Sequence, residues 1–458
     1  MILRPYQEKA VSDIYAAFES GARRVCFTAP CGMGKTLIMA EMARLASENG
    51  TSTVILTHRD SLITQTCDKL DRIGVRYSVI APGRSNFGDK IQVASVQTLM
   101  RRPGKYFFDF IMVDEFHRAG AAGYGKIFAE HPEAHVCGFT ASPQRTDGRG
   151  LDIVADKMVL GPSIRALIDG NYLAEPVTYG PLEKLDLSGL RTVAGDYDQG
   201  QLSDLMDRPR VTGKSISEYK RLCPGEPAIA FCVSVKHAED VAAEFREAGI
   251  KAYHVSGQMP IHDVRDRLAG LSDGRIHVLT SCDLITEGVD VPAVRAAILL
   301  RPTKSLIVYL QSAGRALRPA PGKKNALILD HAGSFARFGL VDDEREWSLE
   351  GRKKRARAGD SEAAVSVRQC PKCFYCHRPA ATCPECGWVY EIAAREPDVE
   401  SGELAVIDAA ALRRVRQAEE REARTYKQLC DLAKRRGYSI AWPMRKWCER
   451  GGDPRLAV

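Results

Sequence analysis

A short apolar run, Val25-Cys26-Phe27-Thr28, leads straight into Ala29-Pro30-Cys31-Gly32-Met33-Gly34-Lys35-Thr36, and a helix-compatible stretch over 37–44 follows without a break. Strand, glycine-containing turn and helix in that order form the setting of a phosphate-binding loop. Backbone N–H groups at a helix N-terminus cradle a polyanion, Lys35 neutralises the terminal phosphates, and the Thr36 hydroxyl holds Mg²⁺. The general motif has Gly where Ala29 stands. The segment Pro30, Cys31, Gly32, Met33, Gly34, Lys35 and Thr36 is therefore expected to bind a nucleoside triphosphate with its Mg²⁺.

Around this loop, short apolar runs alternate with amphipathic stretches. Strands are expected over 25–28, 54–57, 91–95, 110–113 and 136–139, the pattern of a parallel sheet wrapped by helices. The pattern weakens and turns polar over 165–225, then resumes with strands expected over 228–233, 252–255, 276–280, 296–300 and 326–329, and helices over 237–248 and 306–316. Two α/β lobes in tandem are predicted. The organisation expected is a first lobe over 1–165, a connection over 166–225, a second lobe over 226–338, a basic linker over 339–368, a cysteine module over 369–392 and a helical tail over 393–458.

At 458 residues the chain has room for two or three domains. No apolar run reaches the roughly 20 residues that span a bilayer, and the start, Met1-Ile2-Leu3-Arg4-Pro5, lacks a basic region followed by an apolar stretch. A cytoplasmic location, bacterial or in a phage-infected host, is expected, with no membrane partner. The net charge of +7 permits a polyanionic partner without requiring one. Of fourteen cysteines, Cys26, Cys137 and Cys232 sit in apolar settings and read as core residues.

The run Phe110-Ile111-Met112-Val113-Asp114-Glu115-Phe116-His117 is an apolar strand that ends in two carboxylates. Ligands sit at the ends of parallel strands, so Asp114 is placed to hold Mg²⁺ and Glu115 to polarise the water that attacks the γ-phosphate. With the phosphate loop upstream, this box resembles that of the superfamily-two helicases and translocases of the DExH type. Over roughly 1–335 the resemblance rests on several ordered motifs. It implies two RecA-like lobes, with Arg4 and Gln7 reading the adenine and Thr140-Ala141-Ser142 coupling hydrolysis to strand movement. Thr286-Glu287-Gly288-Val289-Asp290 and Gln311-Ser312-Ala313-Gly314-Arg315-Ala316-Leu317-Arg318 match the last two motifs, which puts Gly288 and Asp290 at the nucleotide and Gln311, Arg315 and Arg318 in the catalytic set.

Arg315 and Arg318, three apart, are neighbours on one helix face, so both guanidinium groups can cross a cleft between lobes to the γ-phosphate. In other systems such an arginine finger contributes about 10³–10⁵ in rate. Strand-backbone contacts are implied by the resemblance at Arg59, Gln97, Thr98 and Ser256, with little base specificity because short polar groups meet phosphates rather than bases.

The tail carries Cys370-Pro371-Lys372-Cys373, then Cys376 and His377, then Cys383-Pro384-Glu385-Cys386. Two C-x₂-C pairs predict a structural Zn²⁺ held by Cys370, Cys373, Cys383 and Cys386, with Cys376 an alternative to Cys370 and His377 a weaker candidate. Upstream, the basic run over 351–357 reads as a linker that can also touch phosphate. The fold class expected is α/β: two RecA-like parallel-sheet lobes, a small zinc-ribbon-like module and a helical tail. Motif order and the cysteine-paired tail are most similar to bacterial and phage helicases of the RadD type, which implies an ATP-dependent helicase acting on DNA, single-stranded or forked, in repair, recombination or replication, with RNA open. Two other functions stand beside it: the motor subunit of a restriction system needing a separate nuclease, and an ATP-gated scaffold whose zinc module recruits a repair protein.

Overall fold

The computed structural model describes residues 3–58, 60–85, 88–145, 149–181, 187, 189–193, 196–206, 209–282, 294–351, 367–390, 417–439 and 441–451. The first lobe is built on β1 (Arg24–Thr28), β2 (Thr53–Thr57), β3 (Tyr77–Ala81), β4 (Arg84–Ser85), β5 (Ile91–Ser95), β6 (Phe110–Asp114), β7 (His135–Thr140) and β8 (Lys157–Leu160). These form one sheet in the order β4-β3-β5-β2-β6-β7-β1-β8. Every neighbouring pair is parallel except β3 with β4. Strands β2, β5 and β6 are buried along their whole length because helices cover both faces. Alternate residues feed separate cores: Val25, Phe27, Ile55 and Met112 point to one side, and Cys26, Val54, Leu56 and Ile111 to the other.

The second sheet takes strands from three parts of the chain. Its members are β9 (Glu175–Tyr179), β12 (Ala228–Phe231), β13 (Ala252–Val255), β14 (Val278–Ser281), β15 (Ala296–Leu299), β16 (Asn325–Asp330), β17 (Arg368–Gln369) and β18 (Tyr375–His377), and β10 (Thr192–Val193) with β11 (Asp196–Tyr197) makes a separate hairpin. The order is β13-β14-β12-β15-β16-β9-β18-β17. So the segment expected only to connect the lobes contributes β9, which runs parallel to β16. The cysteine module continues the sheet on the other side of β9, where Tyr375 pairs with Tyr179 and Cys376 with Thr178 in an antiparallel ladder. Gln369 Nε2 donates to Gly180 O at 2.7 Å and Gly180 N to Phe374 O at 3.2 Å, closing that seam.

Two crossings between the lobes fall within the described residues. After β8 the chain passes through Gly161-Pro162-Ser163 and the helix Ile164–Asp169 to β9, and Ala174 N donates to Leu317 O at 2.8 Å on the way. After β16 it returns: Leu349 O accepts from Leu151 N at 2.7 Å and Asp152 N at 3.0 Å, and Arg149 bridges Gly351. A side chain at Gly150 would overlap the Leu349 carbonyl, which explains a glycine there.

Residues 1–390 form one compact unit and 391–458 another. In the second unit the helices Tyr426–Arg436 and Trp442–Glu449 bury Leu429, Leu432, Ala433 and Trp442 together. The helical tail thus has a small apolar core of its own. No helix among the described residues is long and apolar enough to cross a membrane.

Candidate active site

The phosphate loop leaves the C-terminal end of β1 and feeds the helix Lys35–Glu48. Gly32 and Gly34 take φ of 87° and 90°, the left-handed region open to glycine. Ala29 is not among the positive-φ residues; its N–H donates to Thr140 O at 3.0 Å and its methyl faces Gly161, where an added Cβ would sit 2.8 Å away. Alanine is therefore tolerated at that position because Gly161 supplies the room. Lys35 Nζ donates to Ala29 O at 2.9 Å and Pro30 O at 3.2 Å, folded back over its own loop.

Gln7 is buried beneath the loop. Its Nε2 donates to Met33 O at 2.9 Å and its Oε1 accepts from Arg4 N at 3.0 Å, so both ends of the amide, expected on the adenine edge, meet protein in this structure. A side chain at Gly34 would overlap the Gln7 amide. Arg4 lies over the Tyr172 ring at 5.0 Å and donates to Tyr6 Oη at 3.1 Å, and Tyr6 meets Tyr172 edge to face. Tyr172, in the first crossing, has no local sequence signal; only the long-range fold brings it here.

Asp114 ends β6, and burial followed by the neighbouring Glu115 charge raises its carboxyl to about 6, with Lys35 acting in the opposite direction. Glu115 sits at φ 52°, a left-handed non-glycine position whose N–H donates to Asp114 Oδ1 at 3.0 Å. Its Oε2 lies 3.3 Å from His117 Nδ1, which is also 3.3 Å from Thr140 Oγ1. The Thr140 hydroxyl spends its proton on Ser142 O at 2.7 Å, so Nδ1 carries the hydrogen that meets these two acceptors. The Thr-Ala-Ser segment is thereby wired through His117 to Glu115.

The second lobe completes the set. Gln311, buried on the helix Leu306–Gly314, directs Nε2 to Glu115 Oε2 at 3.5 Å. That helix stops two residues earlier than expected. Arg315 caps it, and i→i+3 bonds from Ala316 N to Ala313 O at 3.0 Å and from Leu317 N to Gly314 O at 3.3 Å continue the chain as a tighter turn. Residues three apart eclipse in that geometry, so Arg315 and Arg318 stay on one side. A side chain at Gly32 would meet the Arg318 stem at 3.9 Å, and one at Gly314 would meet Cys31 Cβ at 2.9 Å. Beside the loop a cavity of about 390 Å³ lies between Thr28–Cys31, Gly161–Ile164, Leu310, Gly314 and the returning segment Asp343–Trp347.

Of the expected strand contacts, Gln97 is exposed, whereas Thr98, on the inner face of the helix Val96–Met100, and Ser256, directly after β13, are buried. Arg59, Gly288 and Asp290 lie outside the described residues.

The sulfurs of Cys370, Cys373, Cys383 and Cys386 all lie within 4.8 Å of one another, with Cys370 to Cys386 at 3.6 Å and Cys373 to Cys383 at 3.7 Å. Tetrahedral Zn–S bonds of about 2.3 Å separate sulfurs by about 3.8 Å, so this donor set fits zinc. Cys376 is left out of the cluster; it packs with Phe335 and Leu340 as a core residue. His377 is committed to Tyr390 Oη at 2.7 Å and Arg378 O at 2.6 Å. The two knuckles repeat each other: Phe374 N to Cys370 O at 3.0 Å matches Gly387 N to Cys383 O at 2.9 Å, and Cys370 N to Tyr375 O matches Cys383 N to Trp388 O.

A phosphate loop and paired carboxylates in one parallel-sheet lobe, met by glutamine and arginine from a second, define a nucleotide-driven two-lobe motor. Residues 1–145 match the family model for the type III restriction enzyme res subunit, and 214–320 match the helicase conserved C-terminal domain. A 51.5 kDa protein of Lactococcus phage (isolate 7-9) is 34% identical over 349 residues, covering 75% of this chain and 73% of the phage protein. A candidate ATP-dependent helicase of Saccharomyces cerevisiae, IRC3, is 29% identical over 357 residues, covering 73% of this chain and 52% of the yeast protein. Among solved structures, the ATP-dependent type ISP restriction-modification enzyme LlaBIII bound to DNA has the same fold at a TM-score of 0.53 and 18% identity, over 72% of this chain and 27% of that one. The chain belongs to the superfamily-two helicases of the type III restriction subunit type and is an ATP-hydrolysing enzyme. It spans about half the length of the yeast relative.

Proposed function

We propose that this chain is an ATP-driven DNA motor that moves along, and separates, single-stranded or forked DNA. The observation that carries the reading is Gln311 of the second lobe directed at Glu115 of the first, with the Arg318 stem beside Gly32. Lobes in this arrangement make hydrolysis conditional on closure, and repeated opening and closing is what moves a strand. In this reading Lys35 and Thr36 hold the phosphates and Mg²⁺ with Asp114, Glu115 orients the attacking water, and Arg315 and Arg318 meet the charge of the departing phosphate. Pro30 to Gly34 supply the cradle's backbone, with Arg4 at its rim. Gln97 contacts the strand backbone. The cysteine set holds a structural Zn²⁺, which supplies folding stability to a module with little core of its own. The location proposed is the cytosol, and repair, recombination or replication the setting.

The test is ATP hydrolysis at fixed salt, alone and with single-stranded, duplex and forked DNA and with RNA, followed by strand displacement on the best substrate. Stimulation by DNA together with displacement is expected; stimulation by RNA alone would overturn the DNA reading. The match of 1–145 to a restriction subunit favours one second reading, a motor that serves a separate nuclease. Cleavage that appears only with an added nuclease subunit distinguishes it.

A further inference from the structure

Lys323 lies in the turn Pro321-Gly322-Lys323, between the arginine segment and β16, and belongs to none of the motifs described above. Its side chain is folded inward. Nζ donates to Val294 O at 2.6 Å, to Arg318 O at 2.7 Å and to Ala316 O. An ammonium group has three N–H donors, and all three end on backbone carbonyls. Burial, with Arg295 nearby, lowers this lysine to about 8.

Each of those carbonyls matters to the site. The regular helix ends at Gly314, so the 315–318 turn lies beyond that helix's own i+4 ladder and is held from elsewhere in the fold. Ala174 N meets Leu317 O at 2.8 Å, and Lys323 meets the carbonyls on either side of it, at Ala316 and Arg318. The third acceptor, Val294, immediately follows the 283–293 stretch that carries Gly288 and Asp290. One ammonium therefore fastens the arginine turn to the backbone at Val294, just ahead of β15. A cation at this end of the helix also meets the negative end of its dipole.

We propose that Lys323 is a positioning residue for ATP hydrolysis, clamping the backbone of the 315–318 turn so that Arg318 and Arg315 are held in place across the cleft. It acts through the arginines and touches no reacting atom. The inference rests on the reading that Arg318 completes the site from the second lobe.

The experiment is a mutant cycle on the full chain with Lys323→Met, Arg318→Ala and both together, measuring kcat and the KM for ATP at saturating DNA. Lys323→Met is expected to lower kcat at least about tenfold with KM within about threefold, the pattern of an interaction used in the transition state. The double variant is expected to lose less than the product of the two single losses, because residues that act as one unit are not additive. A kcat within twofold of wild type, or losses that multiply in the double variant, overturns the clamp. If Arg318→Ala leaves kcat unchanged, the underlying reading fails and the clamp with it. Should Lys323→Met melt below the assay temperature, Lys323→Gln, which keeps two donors on a shorter chain, enters the same cycle under the same criteria.

Discussion

Gln311 Nε2 lies 3.5 Å from Glu115 Oε2, and the same oxygen lies 3.3 Å from His117 Nδ1. One carboxylate thus receives a donor from each lobe, and the His117 ring passes the link on to Thr140. Glu115→Gln is expected to lower hydrolysis by at least about a hundredfold, the usual loss when a general base is removed, while ATP affinity stays within a few fold. Gln311→Ala should lower DNA-stimulated turnover about tenfold and the unstimulated rate by a smaller factor, because its contact with Glu115 is made when the lobes close. Equal losses in both rates would place Gln311 in the chemistry itself.

Phe116 and Gly138 make a second dependence. The Phe116 ring is fully buried against β7, and a Cβ at Gly138 would fall inside it. Gly138→Ala must therefore displace the residue that follows Glu115. Overpacking of this kind costs about 1–3 kcal/mol. The first lobe should melt roughly 5–10 °C lower, and Gly138→Ala combined with Phe116→Leu should recover part of the loss. An unchanged melting temperature for Gly138→Ala would show that the ring has other room.

Local signals in the sequence carried the phosphate loop, the strand ending in Asp114 and the two cysteine pairs, because in each the chemistry and the backbone conformation are written within eight residues. Pairings across long separations were not legible. Nothing near Thr178 announces that it will pair with Cys376, and nothing in Tyr172 points to Arg4. Gln7 illustrates a different limit: its motif fixes where it sits, but which partner its amide chooses depends on Met33 O being 2.9 Å away. The choice between Cys370 and Cys376 was likewise undecidable from spacing, since both offer a thiol near Cys373, and only the fold turns Cys376 toward Phe335.

The cysteine module offers a test that separates ligands from core. Cys370→Ser or Cys383→Ser should lose the bound zinc, while Cys376→Ser should retain one zinc per chain and lose only packing, measured as zinc released on thiol modification. Because β18 pairs with β9, metal loss is also expected to lower the melting temperature of the second lobe. The knuckles differ at one point. Phe374 holds φ 67° where its counterpart Gly387 holds φ 71°. A non-glycine residue there costs roughly 1–2 kcal/mol, so Gly387→Val should weaken zinc retention while Phe374→Gly should not.

Asp330, at the end of β16, titrates in a way that can be read as stability. Its carboxyl is fully buried and raised to about 6; burial is the dominant cause, opposed by backbone N–H groups from Phe335, Ser334, Ala332 and Gly333. A carboxyl whose native pKa lies above its unfolded value binds more protons in the native state, so its contribution is greatest in acid and is lost as pH rises through about 6. Asp330→Asn removes this titration. Denaturant unfolding at pH 5 and pH 7.5 should show wild type losing about 1 kcal/mol relative to the Asn variant over that interval. A constant difference between the two proteins, or a change of the opposite sign, would mean that the four N–H groups hold Asp330 ionised throughout.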